Sequence, residues 1–108
     1  MKLYHGEQFR GGVSVTVNGQ PLNPRHDLRN HSPNGFEWGY GGSGPAQLAL
    51  ALLANHLGDD EKALAQYQGF KWAVIALLTE PSWAMSGEDI ERALHGLRRQ
   101  TANSGGGL

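Results

Sequence analysis

The chain has 108 residues, with nine Lys plus Arg, ten Asp plus Glu and a formal net charge of -1. That length fits one domain around a single core, and the near-neutral balance argues against holding a nucleic-acid backbone by bulk charge. Cysteine is absent, which excludes disulfides, thiolate catalysis and Cys-ligated zinc and fits a reducing, cytoplasmic setting.

The N-terminal MKLYHGEQFR has no apolar run and does not read as a signal peptide. Lys2 to Glu7 reads as a short strand. Val13, Val15 and Val17 alternate with Ser14 and Thr16, the period of a strand with one buried face. Asn18-Gly19 is a type I′ hairpin signal, because both turn positions need positive φ. Gln20 to Leu22 then starts a return strand, with Pro21 suited to an edge. Residues 23–35, NPRHDLRNHSPNG, read as a polar loop, and Phe36 and Trp38 as a brief extended segment.

A first helix is expected from about Pro45, since proline is tolerated where its missing N–H has no partner, with Ser43 or Gly44 as its cap. Alanine and leucine fall on all its sides, which predicts an enclosed position. The run Ala46 to Leu57, broken by Gln47, Asn55 and His56, is too short to cross a bilayer. Gly58 ends the helix, and Asp59 or Asp60 caps the next. In that second helix Ala63, Leu64, Tyr67, Phe70, Val74, Leu77 and Leu78 make an apolar face that Trp72 and Ile75 widen, and Pro81 marks its end. Gly69 within it suggests a close helix–helix approach. Ser86-Gly87-Glu88-Asp89 resembles a capping box for a third helix, whose apolar stripe is Ile90, Ala93, Leu94 and Leu97. The expected fold is therefore α+β: a small N-terminal antiparallel sheet of two to three strands packed on a three-helix bundle. One domain covers 1–102, and a glycine-rich tail, 103–108, reads as disordered.

Gly39, Gly41 and Gly44 match the spacing G-x-G-x-x-G, with Asp59 beyond them. No strand follows the first helix, so the βαβ context of a dinucleotide fold is missing. The same glycines leave N–H groups open at a helix start, where anions bind in any fold. Arg25, His26, Arg29 and His31 precede them. If that loop folds over Gly41, Gly42, Ser43 and Gly44, guanidinium forks and backbone donors converge on a phosphate, a carboxylate or a nucleotide. The alternative is structural: a tight turn passing the sheet, with Phe36, Trp38 and Tyr40 packed beneath and the arginines paired to Asp27 and Glu37. His26 and His31 lack the spacing of a metal motif, His31 beside Ser32 is not triad geometry, and Arg92, Arg98 and Arg99 share their helix with Glu88, Asp89 and Glu91 as a mixed-charge face. No cofactor is implied.

The segment LRNHSPNGFEWGYGGSGPAQLALALLANHLGDD, followed by YQGFKWAVIALL, resembles a small uncharacterised bacterial family, a domain of unknown function also found on phages and mobile elements. The resemblance covers roughly Tyr4 to Leu78 and rests chiefly on FEWGYGGSGPAQLALALL. It implies a bacterial or phage setting and an intracellular location, and no particular activity. Proteins of such a setting include inhibitors of host defence complexes, in the manner of anti-CRISPR proteins, and sequesterers of signalling nucleotides. The reading is a non-enzymatic binding or regulatory module that acts through a protein partner or a small anionic ligand. The competing reading is a small enzyme on a phosphorylated or nucleotide substrate, with His31 as its acid–base group.

Overall fold

The structure is a computed structural model and describes residues 2–106, with side chains described to residue 100. The chain is α+β. Strands β1 (Leu3–Phe9) and β2 (Gly12–Val17) form the first hairpin pair, and β3 (Gln20–Pro21) follows β2. The β2–β3 turn is the expected one: Asn18 and Gly19 both have positive φ, 49° and 82°. The return strand is two residues long, with Pro21 on the free edge of the sheet, and Leu22 N–H still donates to Val15 O at 3.0 Å just beyond it.

A fourth strand, β4 (Ser82–Ser86), was not expected. It pairs antiparallel with β1 in the register Leu3↔Ser86 to Glu7↔Ser82, giving a sheet of order β3-β2-β1-β4. Tyr4, Val15, Trp83 and Met85 lie on the buried face. His5, Glu7, Ser14, Ser82 and Ala84 alternate with them on the other face. Gly6 stands directly under the Trp83 indole, where an added Cβ would sit 2.2 Å from the ring. The Trp83 ring meets Trp38 edge-on, with centroids 5.5 Å apart.

Helix α1 (Ser43–Leu57) is buried continuously from Gly44 to Ala54, as its alanine and leucine content predicts. Its cap is Gly42, one residue before the expected pair, and no side chain caps it. Gly58 closes it in the left-handed region at φ 64°. Asp59 then caps α2 (Asp60–Ala73) by accepting from the Lys62 N–H at 3.1 Å.

Helix α2 is shorter than its apolar periodicity suggests. It stops at Ala73, and Ile75–Leu77 form a separate 3₁₀ turn. Ile75 is driven into the core, while Leu77 and Trp72 face outward at 68% and 60% exposure. The change of helix type redirects the chain so that Gly39 N–H can donate to Ile75 O at 3.0 Å. Helix α3 (Gly87–Gly106) begins with a reciprocal capping box. Ser86 Oγ accepts from Asp89 N–H at 3.1 Å, and Asp89 Oδ2 accepts from Ser86 N–H at 2.9 Å. These bonds hold the Asp89 carboxyl below the usual carboxylate range. Gly69 meets Leu97 of α3 at ordinary contact distance, 3.8 Å from a built Cβ. Of the expected tail, Gly107 and Leu108 lie outside the described residues. The sheet face and all three helices share one apolar core.

Candidate functional site

The polar loop is tied to α1 by a single side chain. Gln47 lies within the apolar helix and is fully buried. Its Oε1 accepts from His31 N–H at 2.8 Å and Ser32 N–H at 3.2 Å. Its Nε2 donates to Pro24 O at 2.6 Å and Arg29 O at 3.0 Å. Both donors and both acceptor positions of the amide are thus used. An amide in an alanine-leucine run is the only sequence mark of this role.

The arginines and histidines of the loop bond to groups of the loop, Asp60 and Tyr67 rather than to the glycine turn. Arg25, held at φ 59°, forks onto two carboxylates. It reaches Asp27 at 3.0 and 3.1 Å and Asp60 at 3.1 and 2.9 Å. Those bonds raise the guanidinium further above its ordinary value, Asp27 first, and hold Asp27 below its own. His26 Nε2 donates to Ser32 O at 2.9 Å. Arg29 donates to Leu28 O at 2.7 Å. His31 Nε2 shares a 2.7 Å hydrogen bond with Tyr67 OH. None of these bonds runs to Gly41, Gly42, Ser43 or Gly44.

The glycine turn is lined instead by aromatic rings and one acid. An added Cβ at Gly41 would lie 2.1 Å from the Trp72 ring, and at Gly42 2.3 Å from the Tyr40 ring. At Gly44 it would lie 2.4 Å from the Glu37 carboxylate. The three glycines therefore let three side chains lie against the start of α1. Tyr40 OH donates to Glu37 at 2.6 Å, and this bond to the carboxylate raises the phenol above its ordinary value. Glu37 sets negative charge beside the positive end of the helix, in the place where an external anion was expected. Phe36 and Trp38 are core, but Tyr40 is 46% exposed and Trp72 60%.

Lys71 completes this surface. It lies four residues past Tyr67, on the buried side of α2, and is only 7% exposed. Its ammonium sits 4.5 Å over the centre of the Trp72 ring. No carboxylate among the described residues lies within 4.0 Å of it. Sequence periodicity placed Trp72 with the core and passed over Lys71. The adjacent Lys-Trp pair inside an apolar stripe was the available signal.

Elsewhere a few ion pairs link α3 to its neighbours and to itself. His56 meets Glu91 at 2.5 Å beside a cleft that Lys2 and Gly87 also line. Arg98 bonds Gln66 at 3.1 Å and approaches Glu91 at 3.9 Å. Among the described residues no three His, Asp or Glu side chains gather as a metal site. No helix is long and apolar enough to cross a membrane.

A family model described as "Family of unknown function (DUF6166)" matches residues 4–96. The chain belongs to this family. The DUF6166 match spans all four strands, α1, α2 and the first part of α3, and so reaches beyond Leu78, where the sequence resemblance ended. No curated protein and no solved structure matches the chain.

Proposed function

We propose that this DUF6166 chain is a non-enzymatic binding or regulatory module that acts through a protein partner, and that its contact surface is the aromatic face around the glycine turn. One observation carries the reading. The far edge of the Trp72 ring lies so close to Gly41, and the Tyr40 ring to Gly42, that neither glycine has room for a Cβ unless the ring moves, yet both rings stay about half exposed. A core aromatic would be covered, and a merely tolerated surface aromatic would not need a glycine floor. Tryptophan and tyrosine held rigid and half exposed are the residue types that anchor protein interfaces.

The loop cations are a weaker basis for an anion site, since Arg25 already has two carboxylates and His31 a phenol. The bacterial or mobile-element setting and cytoplasmic location implied by the sequence resemblance make a host defence complex one class of partner. The test is affinity capture with tagged chain from cells that carry it. Wild-type protein retains a stoichiometric partner, Trp72→Ala loses it while keeping its far-ultraviolet spectrum, and neither turns over nucleotides. Equal retention by Trp72→Ala would exclude this surface.

A further inference from the structure

We propose that the free edge of β4 pairs with the same edge of a second copy of this chain, joining two four-stranded sheets into one. The hydrogen bonds at the two ends of β4 fix which backbone groups point outward. Gln8 N–H donates to Pro81 O at 2.7 Å, and Gly87 N–H to Lys2 O at 3.0 Å. With the register Gly6↔Trp83 and Tyr4↔Met85, these bonds make Pro81, Trp83, Met85 and Gly87 the residues that face β1. Ser82 and Ala84 alternate with them, so their N–H and C=O groups point the other way, off the sheet. β4 ends the strand order β3-β2-β1-β4, and both residues are exposed. Among the described residues no group bonds the main chain of Ser82 or Ala84 from that side.

The two edges of the sheet differ. At the far edge β3 is two residues long and carries Pro21, which blunts pairing. β4 has none of the usual protection: SWAMS contains no charge and no proline, and its ladder to β1 runs without a bulge. An uncharged edge meets its own copy without like-charge repulsion, and β4 has no charged side chain with which to select a foreign strand. A two-fold axis at Trp83 sets Ser82 of each copy opposite Ala84 of the other. Each of these two pairs exchanges two bonds, so all the outward groups of both residues are used. On the solvent face only Ser82 and Ala84 side chains flank the seam, and both are small enough for ordinary strand spacing. Pairing of β4 with β3 of another copy would run head to tail into a filament, which the short β3 opposes. Like-to-like pairing closes at the dimer.

The test is sedimentation velocity of the full chain over a concentration series. Wild-type protein is expected to show a reversible monomer–dimer equilibrium with no larger species, and amide exchange at Ser82 and Ala84 slows as the dimer fills. Ala84→Pro removes the outward N–H, a change that edge strands tolerate. Half of the seam bonds go with it, so the dimer dissociates at least about tenfold more readily. Ala84→Lys, which brings like charges to the seam, weakens the dimer with an unchanged far-ultraviolet spectrum and keeps the test open should Ala84→Pro unfold. Trp72→Ala dimerises as wild type does. A wild-type chain that stays monomeric up to millimolar concentration overturns the proposal, as do folded Ala84→Pro and Ala84→Lys chains that dimerise like wild type. A dimer lost in Trp72→Ala and kept in Ala84→Pro overturns it in favour of the aromatic face. A monomeric wild type whose captured partner is lost in Ala84→Pro overturns self-pairing and assigns the edge to a strand of that partner.

Discussion

Replacing Gln47 by Met removes a buried amide while nearly preserving its volume. Four partners lose their bond at once: the N–H groups of His31 and Ser32 and the carbonyls of Pro24 and Arg29. Each hydrogen bond contributes about 1 kcal/mol net, and a partner left buried and unsatisfied costs about 1–3 kcal/mol. The loop can recover part of this by lifting toward water, since its backbone is half exposed. The expected loss is therefore about 4 kcal/mol, a large share of the roughly 5–15 kcal/mol that holds a domain of this kind. Thermal unfolding should fall by roughly 15 °C. Urea unfolding followed by circular dichroism measures the loss, and amide exchange at His31 and Ser32 should accelerate with it. The exposed Gln68→Met on α2 is the control, with a change within about 0.5 kcal/mol. A loss below about 1 kcal/mol for Gln47→Met, or one equal to the control, would refute the view that this amide anchors the loop.

Gly6→Ala should destabilise by about 2–3 kcal/mol through overpacking, because its Cβ would lie 2.2 Å from Trp83; equilibrium unfolding reads it, and near-ultraviolet dichroism should report the displaced indole. Gly41→Ala meets only the far edge of an exposed ring, so it should cost less than about 1 kcal/mol while swinging Trp72 away and abolishing partner capture. Burial of the Tyr4 phenol beneath the sheet pushes its pKa up to about 12 from 10.0. The unfolded chain therefore loses this proton first as pH rises, and stability falls between about pH 10 and 12. Tyr4→Phe should flatten that alkaline limb in unfolding curves taken across the range.

Local signals in the sequence carried much of the fold. Asn18-Gly19, Gly58, Asp59 and the Ser86–Asp89 box each act within a few residues of chain, and each does what its chemistry requires. What escaped was non-local. β4 has the right alternation, with Trp83 and Met85 inward, but it is five residues long and finds its partner at the other end of the chain. The apolar period of α2 continues through Val74, Leu77 and Leu78, and only tertiary packing decides that Ile75 turns inward and Leu77 outward. Around the glycine turn, the sequence offers cations upstream and aromatics nearby. It does not reveal that Asp27 and Asp60 occupy Arg25, or that Glu37 reaches the helix start. Gln47 reads as a flaw in an apolar helix until its four partners are placed.

Under the proposed function, Tyr40 and Trp72 touch a protein. Site-specific photocrosslinking measures this most directly, with the reactive group at position 40 and, separately, at Ser14 on the opposite sheet face. Position 40 should give one discrete protein adduct that Trp72→Ala removes, and position 14 should give none. An adduct from position 14 alone, or one from position 40 that survives Trp72→Ala, would contradict the account.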